Sequence, residues 1–153
     1  MSHESPSFIE IINSAMEYTI PIAHTMGVRA VEVRRGYAAL SVPIEGNGNH
    51  FGVMYAGVLF TVAEMLGGVL ALPVFDNARF YPLVKDVQIS FLKPARTDVV
   101  SEASLSDEEI ARVATEVDAN GKSAYIVEAA VKNDEGTVVA TTTALCQLRA
   151  HGK

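Results

Sequence analysis

The chain has 153 residues, 49% of them hydrophobic and 20% charged, with a formal net charge of −6. That length and apolar content suit one well-filled domain over residues 1–153 and argue against disorder beyond the extreme ends. The acidic balance excludes bulk nucleic-acid binding, which needs a basic stripe, and the lone Cys146 excludes an intrachain disulfide framework.

No charged segment followed by an apolar run opens the sequence, so a reducing cytoplasm is the expected location. The apolar run Val53 to Phe75 approaches membrane-spanning length. It contains Glu64, Gly57, Gly67, Gly68 and Pro73 and lacks basic flanks, so no membrane span is expected.

In chain order, Ser5 and Pro6 read as the cap and first turn of a short helix. Its face of Phe8, Ile12, Ala15 and Met16 runs to about Tyr18. Val28 to Arg34 and Tyr37 to Pro43 are strand-like and joined by Arg35-Gly36 as a hairpin. A polar loop, Glu45 to Asn49, feeds a long apolar helix predicted over about residues 55–73.

Val84 to Leu92 then alternates, with Val87, Ile89 and Phe91 on one face and Asp86, Gln88 and Ser90 on the other. Lys93-Pro94 interrupts the strand pattern, which resumes from Asp98 to Leu105. Ser106 and Glu109 form a capping box for a surface helix with the stripe Ile110, Val113, Ala114 and Val117, closed by Asn120-Gly121. Lys122 to Asn133 and Thr137 to Ala150 make a final hairpin through Asp134-Glu135-Gly136.

One long apolar helix among six mostly antiparallel strands predicts an α+β fold with a curved sheet around that helix, because a helix apolar on nearly every side must be enclosed. An unrelated α+β sandwich fits the pattern almost as well. Glu64 is the only charged residue from Ala56 to Phe75. Burying an unpaired carboxylate is costly, so such a group is paired, protonated or chemically active.

The segment NHFGVMYAGVLFTVAE, Asn49 to Glu64, resembles the active-site segment of hotdog-fold acyl-CoA thioesterases of the phenylacetate-pathway (PaaI-like) branch. That pattern is an Asn, then six residues later His-Gly-Gly, then an acidic residue early in the central helix. Asn49 matches the Asn, Tyr55-Ala56-Gly57 stand at His-Gly-Gly, and Glu64 takes the acidic position. FLKPAR, Phe91 to Arg96, resembles the segment after the family's next strand. The resemblance implies hydrolysis of acyl-CoA thioesters by a homodimer or homotetramer, with no cofactor beyond the coenzyme A carried by the substrate. It also implies sites between the central helix of one subunit and elements of the other, with Asn49 in the active site.

Elementary chemistry assigns roles to the same residues. A thioester carbonyl needs its developing oxyanion stabilised, and the Gly57 N–H at a helix N-terminus can do so without a side chain. Glu64 lies about two turns on, with Thr61 between them and Gly68 one turn beyond, so a small-residue groove with one carboxylate is expected. Glu64 could act as general base on water or attack the carbonyl itself as a nucleophile; the other reading is a structural carboxylate, paired across a subunit interface or hydrogen-bonded to a backbone N–H.

Asn49 could orient the water or simply make a turn. Tyr55 could donate its hydroxyl to the substrate or close the helix entrance as an aromatic. Gly67-Gly68 reads as a site of close packing. Lys85, Lys93 and Arg96 are the candidate partners of the coenzyme A phosphates. Phe60, Met65, Leu66 and Phe91 could line an acyl pocket, whose length stays open.

Cys146 lies in an alternating strand and is expected to pack quietly. His3, His24, His50 and His151 have no metal-ligand spacing, and neither GxxxxGK[ST] nor GxGxxG follows a strand. Two rivals remain: a non-catalytic acyl or acyl-CoA binding module, and a hotdog dehydratase that would need His50 as its catalytic His.

Overall fold

The computed structural model describes residues 5–152, so His3 lies outside the described residues. Helix α1 spans Phe8–Thr19 and is capped by Ser7, not by Ser5 and Pro6. Ser7 accepts from the Glu10 N–H while Glu10 accepts from the Ser7 N–H and hydroxyl, and this reciprocal box outcompetes the earlier serine. A short helix missed in the sequence, α2 (Pro21–Met26), follows directly. Pro21 occupies its first turn, where a missing N–H costs nothing.

Strands β1 (Arg29–Arg34) and β2 (Tyr37–Val42) form the expected hairpin. The predicted single helix over 55–73 is two consecutive helices, α3 (Ala56–Glu64) and α4 (Leu66–Ala71). Met65 joins them with helical dihedrals, φ −62° and ψ −20°. The end comes early because Pro73 offers no N–H and the last turn tightens, the Leu72 N–H reaching back only to Val69.

Strand β3 (Phe80–Phe91) begins four residues before the predicted Val84. Pro82 hid that start, yet a proline is tolerated on an edge strand, where its missing donor faces away from the ladder. Lys85 sits in a bulge between Val84 and Asp86 that offsets the alternation. Then come β4 (Val99–Ser104), α5 (Asp107–Asn120), β5 (Lys122–Lys132) and β6 (Val138–Ala150). At α5 only half of the expected capping box forms: the Ser106 hydroxyl accepts from the Glu109 N–H, but the Glu109 carboxylate is drawn to Arg112.

The six strands among the described residues make one antiparallel sheet in the order β1-β2-β4-β5-β6-β3. Helices α3 and α4 together touch every strand, the hotdog arrangement of a curved sheet around a central helix. Val62, Leu66 and Leu70 point into a core shared with Leu40, Val127 and Leu148. Enclosure is incomplete, however: Ala56, Phe60 and Gly68 face outward.

Edge strand β1 is covered by α1. Asn13 donates its amide to the Ala30 carbonyl (3.0 Å) and accepts the Ala30 N–H (2.8 Å), standing in for a strand neighbour. Edge strand β3 has no such cover among the described residues.

Candidate active site

The start of α3 is set by its preceding loop. Buried Asn47 donates its amide to the carbonyls of Met26 and Pro43, both at 2.7 Å, and its own carbonyl accepts the Tyr55 N–H at 2.9 Å. Tyr55 is the N-cap, with extended backbone and no side-chain cap. Val58 and Leu59 both donate to the Tyr55 carbonyl, so among the described residues the Ala56 and Gly57 N–H groups have no protein partner. Two unspent donors at the positive end of a helix dipole suit a developing anion.

Tyr55 lies across this terminus. Its side chain is exposed, and a Cβ added to Gly57 would come within 2.6 Å of the Tyr55 Cε1, so the glycine is what lets the ring lie there. Asn49 uses its side-chain oxygen to accept from the Phe51 and Val53 N–H groups, at 2.9 and 3.4 Å, which is the turn-forming role. Its amide nitrogen donates to no described residue, and Asn49 borders both depressions at the helix entrance, one with Lys93 and Phe91 and the other with His50 and Tyr55. The Met54 N–H donates to the Ala95 carbonyl at 2.8 Å and thereby holds the FLKPAR segment beside the entrance.

Glu64, at the other end of α3, is half-buried, and burial pushes its carboxyl above the ordinary value. Glu10, Glu102, Glu109 and Glu116 are each held down by a hydrogen-bond partner, in order Ser7, Lys132, Arg112 and Ser123. Glu64 is the one carboxylate pushed upward among the described residues, and no described residue partners it. Of the two structural alternatives, a hydrogen bond from a backbone N–H is not made by any described residue.

Glu64 opens into a cleft of about 790 Å³ between α1, the α3–α4 junction and the start of β3. Gly68 borders the same cleft, as expected, but Gly57 and Thr61 do not. The predicted continuous groove is thus divided. The Thr61 hydroxyl donates back to the Gly57 carbonyl at 2.8 Å, so its proton is committed inside the helix.

Sequence reasoning missed the contribution of α1, whose Ile12 and Met16 wall the cleft. Asn13, polar in the midst of an apolar stripe, was the available signal that this helix is pinned to another element.

Lys85, Lys93 and Arg96 are exposed, and among the described residues none has an acidic partner. Lys93 borders the entrance, whereas Lys85 sits in the β3 bulge. Cys146 is buried against Gly67, where an added Cβ would meet its Sγ at 2.7 Å. Burial, aided by the Glu64 charge, raises the thiol to about 11, so it is inert. Phe91 is exposed beside the entrance and Leu66 is fully buried; neither borders the Glu64 cleft, which Met65 does. No group of three or more potential metal ligands exists among the described residues, and no described helix is long and apolar enough to cross a membrane.

A curved antiparallel sheet around a helix with an unpaired carboxylate defines a hotdog-fold protein, and similar solved structures agree. A Pseudomonas aeruginosa protein, PA5026, described as of unknown function and a probable thioesterase, is 44% identical with a TM-score of 0.86, over 93% of this chain and 95% of that one. The Haemophilus influenzae thioesterase HI1161 shares the fold at 12% identity, TM-score 0.76, over 98% and 95% of the two chains. A Pseudomonas aeruginosa thioesterase mutant, PA1618, aligns at 16% identity, TM-score 0.75, over 97% of each. No curated protein matches the sequence. Residues 9–147 match the family described as a domain of unknown function, DUF4442, and the chain belongs to that family.

Proposed function

We propose that the protein is an acyl-CoA thioesterase, hydrolysing acyl-CoA to the free acid and coenzyme A. The observation that carries this reading is Glu64, an unpaired carboxylate on the central helix with its pKa raised by burial in an apolar cleft. The 44% identity to a probable thioesterase supports it. Glu64 takes a proton from water as that water attacks the thioester carbon, or attacks the carbon itself to give an anhydride that water then opens. The thiolate of coenzyme A leaves in either route. The Gly57 N–H receives the oxyanion, helped by its Ala56 neighbour.

Within one protomer these groups sit about 10.5 Å apart along the axis, seven residues at 1.5 Å each, and the cleft that Glu64 borders does not reach Gly57, whose neighbours Tyr55 and Ala56 border depressions of their own. A composite site meets this difficulty. Gly57, Asn49 and Tyr55 of one subunit would face Glu64 of the partner subunit, in a homodimer joined along the uncovered β3 edges and able to pair again as a tetramer. Lys93 and Arg96, with Lys85 further along β3, then meet the coenzyme A phosphates; no cofactor is needed beyond the coenzyme A itself, and the cytoplasm is where such a substrate is found.

The Tyr55 ring lying over Gly57 favours one rival, a non-catalytic acyl-CoA binding module. Thiol release from a panel of acyl-CoAs, wild type against Glu64→Ala at matched folding and oligomeric state, decides. Turnover lost in the variant supports the hydrolase. Binding without turnover in the wild type overturns it.

A further inference from the structure

The cleft beside Glu64 has features that select a class of acyl group. Its volume, about 790 Å³, lies in the upper part of the roughly 300–1,000 Å³ range of sites that engulf drug-sized ligands. Its floor runs from Glu64 past Gly68 to Leu72, between Ile12 and Met16 of α1 and the β3 residue Leu83. Among the described residues no cation borders it, and of the polar side chains besides Glu64, namely Thr19, Asn77 and Tyr81, two are already engaged. Thr19 donates to the Ala15 carbonyl and Asn77 to the Leu72 carbonyl, both at 3.0 Å.

Apart from the Tyr81 hydroxyl, a ligand beyond Glu64 is therefore met by apolar area. Asn13 fixes the α1 wall to β1, so this is a standing channel and not a gap beneath a loose helix. Gly68 keeps its floor open: a Cβ there would meet only Pro82 Cγ, at 3.9 Å.

The geometry points to this cleft as the seat of the acyl chain, and to extended aliphatic acyl thioesters, much longer than an acetyl or a single aromatic ring, as the substrate class. The inference rests on the thioesterase reading for one thing only, the placing of the carbonyl at Glu64. The chain then runs along the floor towards Leu72. Each buried methylene contributes about 0.8 kcal/mol, which at 1.36 kcal/mol per tenfold is about fourfold in affinity per carbon.

The test separates binding from cleavage. Straight-chain acyl-CoAs from butyryl to palmitoyl report turnover, and their non-cleavable alkyl thioether analogues report affinity, on wild type, Gly68→Phe and Gly68→Leu. Two variants are used so that one folded protein suffices, checked by circular dichroism and oligomeric state. Wild-type affinity should climb about fourfold per methylene until the channel is filled. In the variants the climb should stop early, leaving palmitoyl-chain binding at least tenfold weaker than in wild type.

A wild-type affinity that is flat or falls with length overturns the inference, as does an unchanged long-chain affinity in folded variants. Length-dependent thioether binding lost in the variants, with no thiol released from any acyl-CoA, leaves the chain site standing and removes the hydrolase. Hydrolysis indifferent to chain length does the reverse.

Discussion

The two ends of the central helix do different work. At its entrance, from Tyr55 to Thr61, the chemistry belongs to the backbone: two N–H groups lack partners among the described residues, Tyr55, Ala56 and Phe60 are exposed, and the Thr61 hydroxyl is turned back into the helix. At its exit, from Glu64 to Ala71, the chemistry belongs to one carboxylate and the surroundings are buried. Leu66, Leu70 and Ala71 are fully covered, and the Tyr125 hydroxyl donates to the Gly67 carbonyl at 3.1 Å. The contrast teaches that one helix can present an oxyanion donor and a base without presenting them to the same space.

Replacing Glu64 should break the contrast most severely. Glu64→Gln keeps shape and removes the base, so kcat should fall about 10²- to 10⁴-fold while the fold persists, since no described partner is orphaned. Thiol release beside a thermal melt reads both. An unchanged rate in a folded Gln variant would return Glu64 to a structural role.

The pH dependence sharpens the same point. Burial raises the Glu64 pKa above its ordinary 4.5, so wild-type kcat/KM should rise with pH through a midpoint above that value as the carboxylate forms. Stability runs the opposite way. A raised folded-state pKa gives a contribution fully present below the unfolded value of 4.5 and lost as pH climbs through the folded value. The Gln variant lacks that loss, so denaturation of the pair should find it gaining on wild type as pH rises from acid towards neutral.

At the entrance, Gly57→Ala keeps the N–H but puts a methyl 2.6 Å from the Tyr55 ring. The ring must swing away and the approach to the donors narrows, with an expected loss of about 10²-fold in kcat/KM, the scale of a 1 Å misplacement. Helix propensity meanwhile favours the alanine by up to about 1 kcal/mol. Lower activity in a protein no less stable than wild type would mark Gly57 as functional. Activity kept to within a few-fold would show that the donors are not used.

The succession of strands and the hairpin turns were legible in the sequence because local signals agreed with the tertiary outcome, whereas α2 and the break between α3 and α4 were not. Gly121 and Gly136 do adopt positive φ, at 75° and 79°, where a turn or cap demands it. Glu64 was legible as the one charge in an apolar run. The α1 wall was not, because Ile12 and Met16 announce an apolar face without saying which surface it meets. The early start of β3 was hidden by Pro82, whose tolerance depends on an edge position that only the completed sheet defines. The split between the two ends was equally hidden, since heptad spacing puts Gly57 and Glu64 on one side but does not say that α1 walls off the space beside Glu64 alone.

The smallest effect compares two adjacent glycines at the exit. Gly67 faces the sheet, and an added Cβ would meet the Cys146 Sγ at 2.7 Å; Gly68 faces the cleft, with nothing nearer than 3.9 Å. Both lie inside α4, so helix propensity favours alanine equally at each, by up to about 1 kcal/mol. The difference in measured stability therefore isolates packing. Gly67→Ala should destabilise by about 1–3 kcal/mol, the scale of overpacking, whereas Gly68→Ala should be neutral or mildly stabilising. Urea titration of both, repeated in a Cys146→Ala background, reads the coupling: the Gly67 penalty should shrink once the sulfur is gone, and the Gly68 value should not move. Equal effects at both positions would mean that α4 shifts freely on the sheet, and the exit would lose its claim to be the rigid end of the helix.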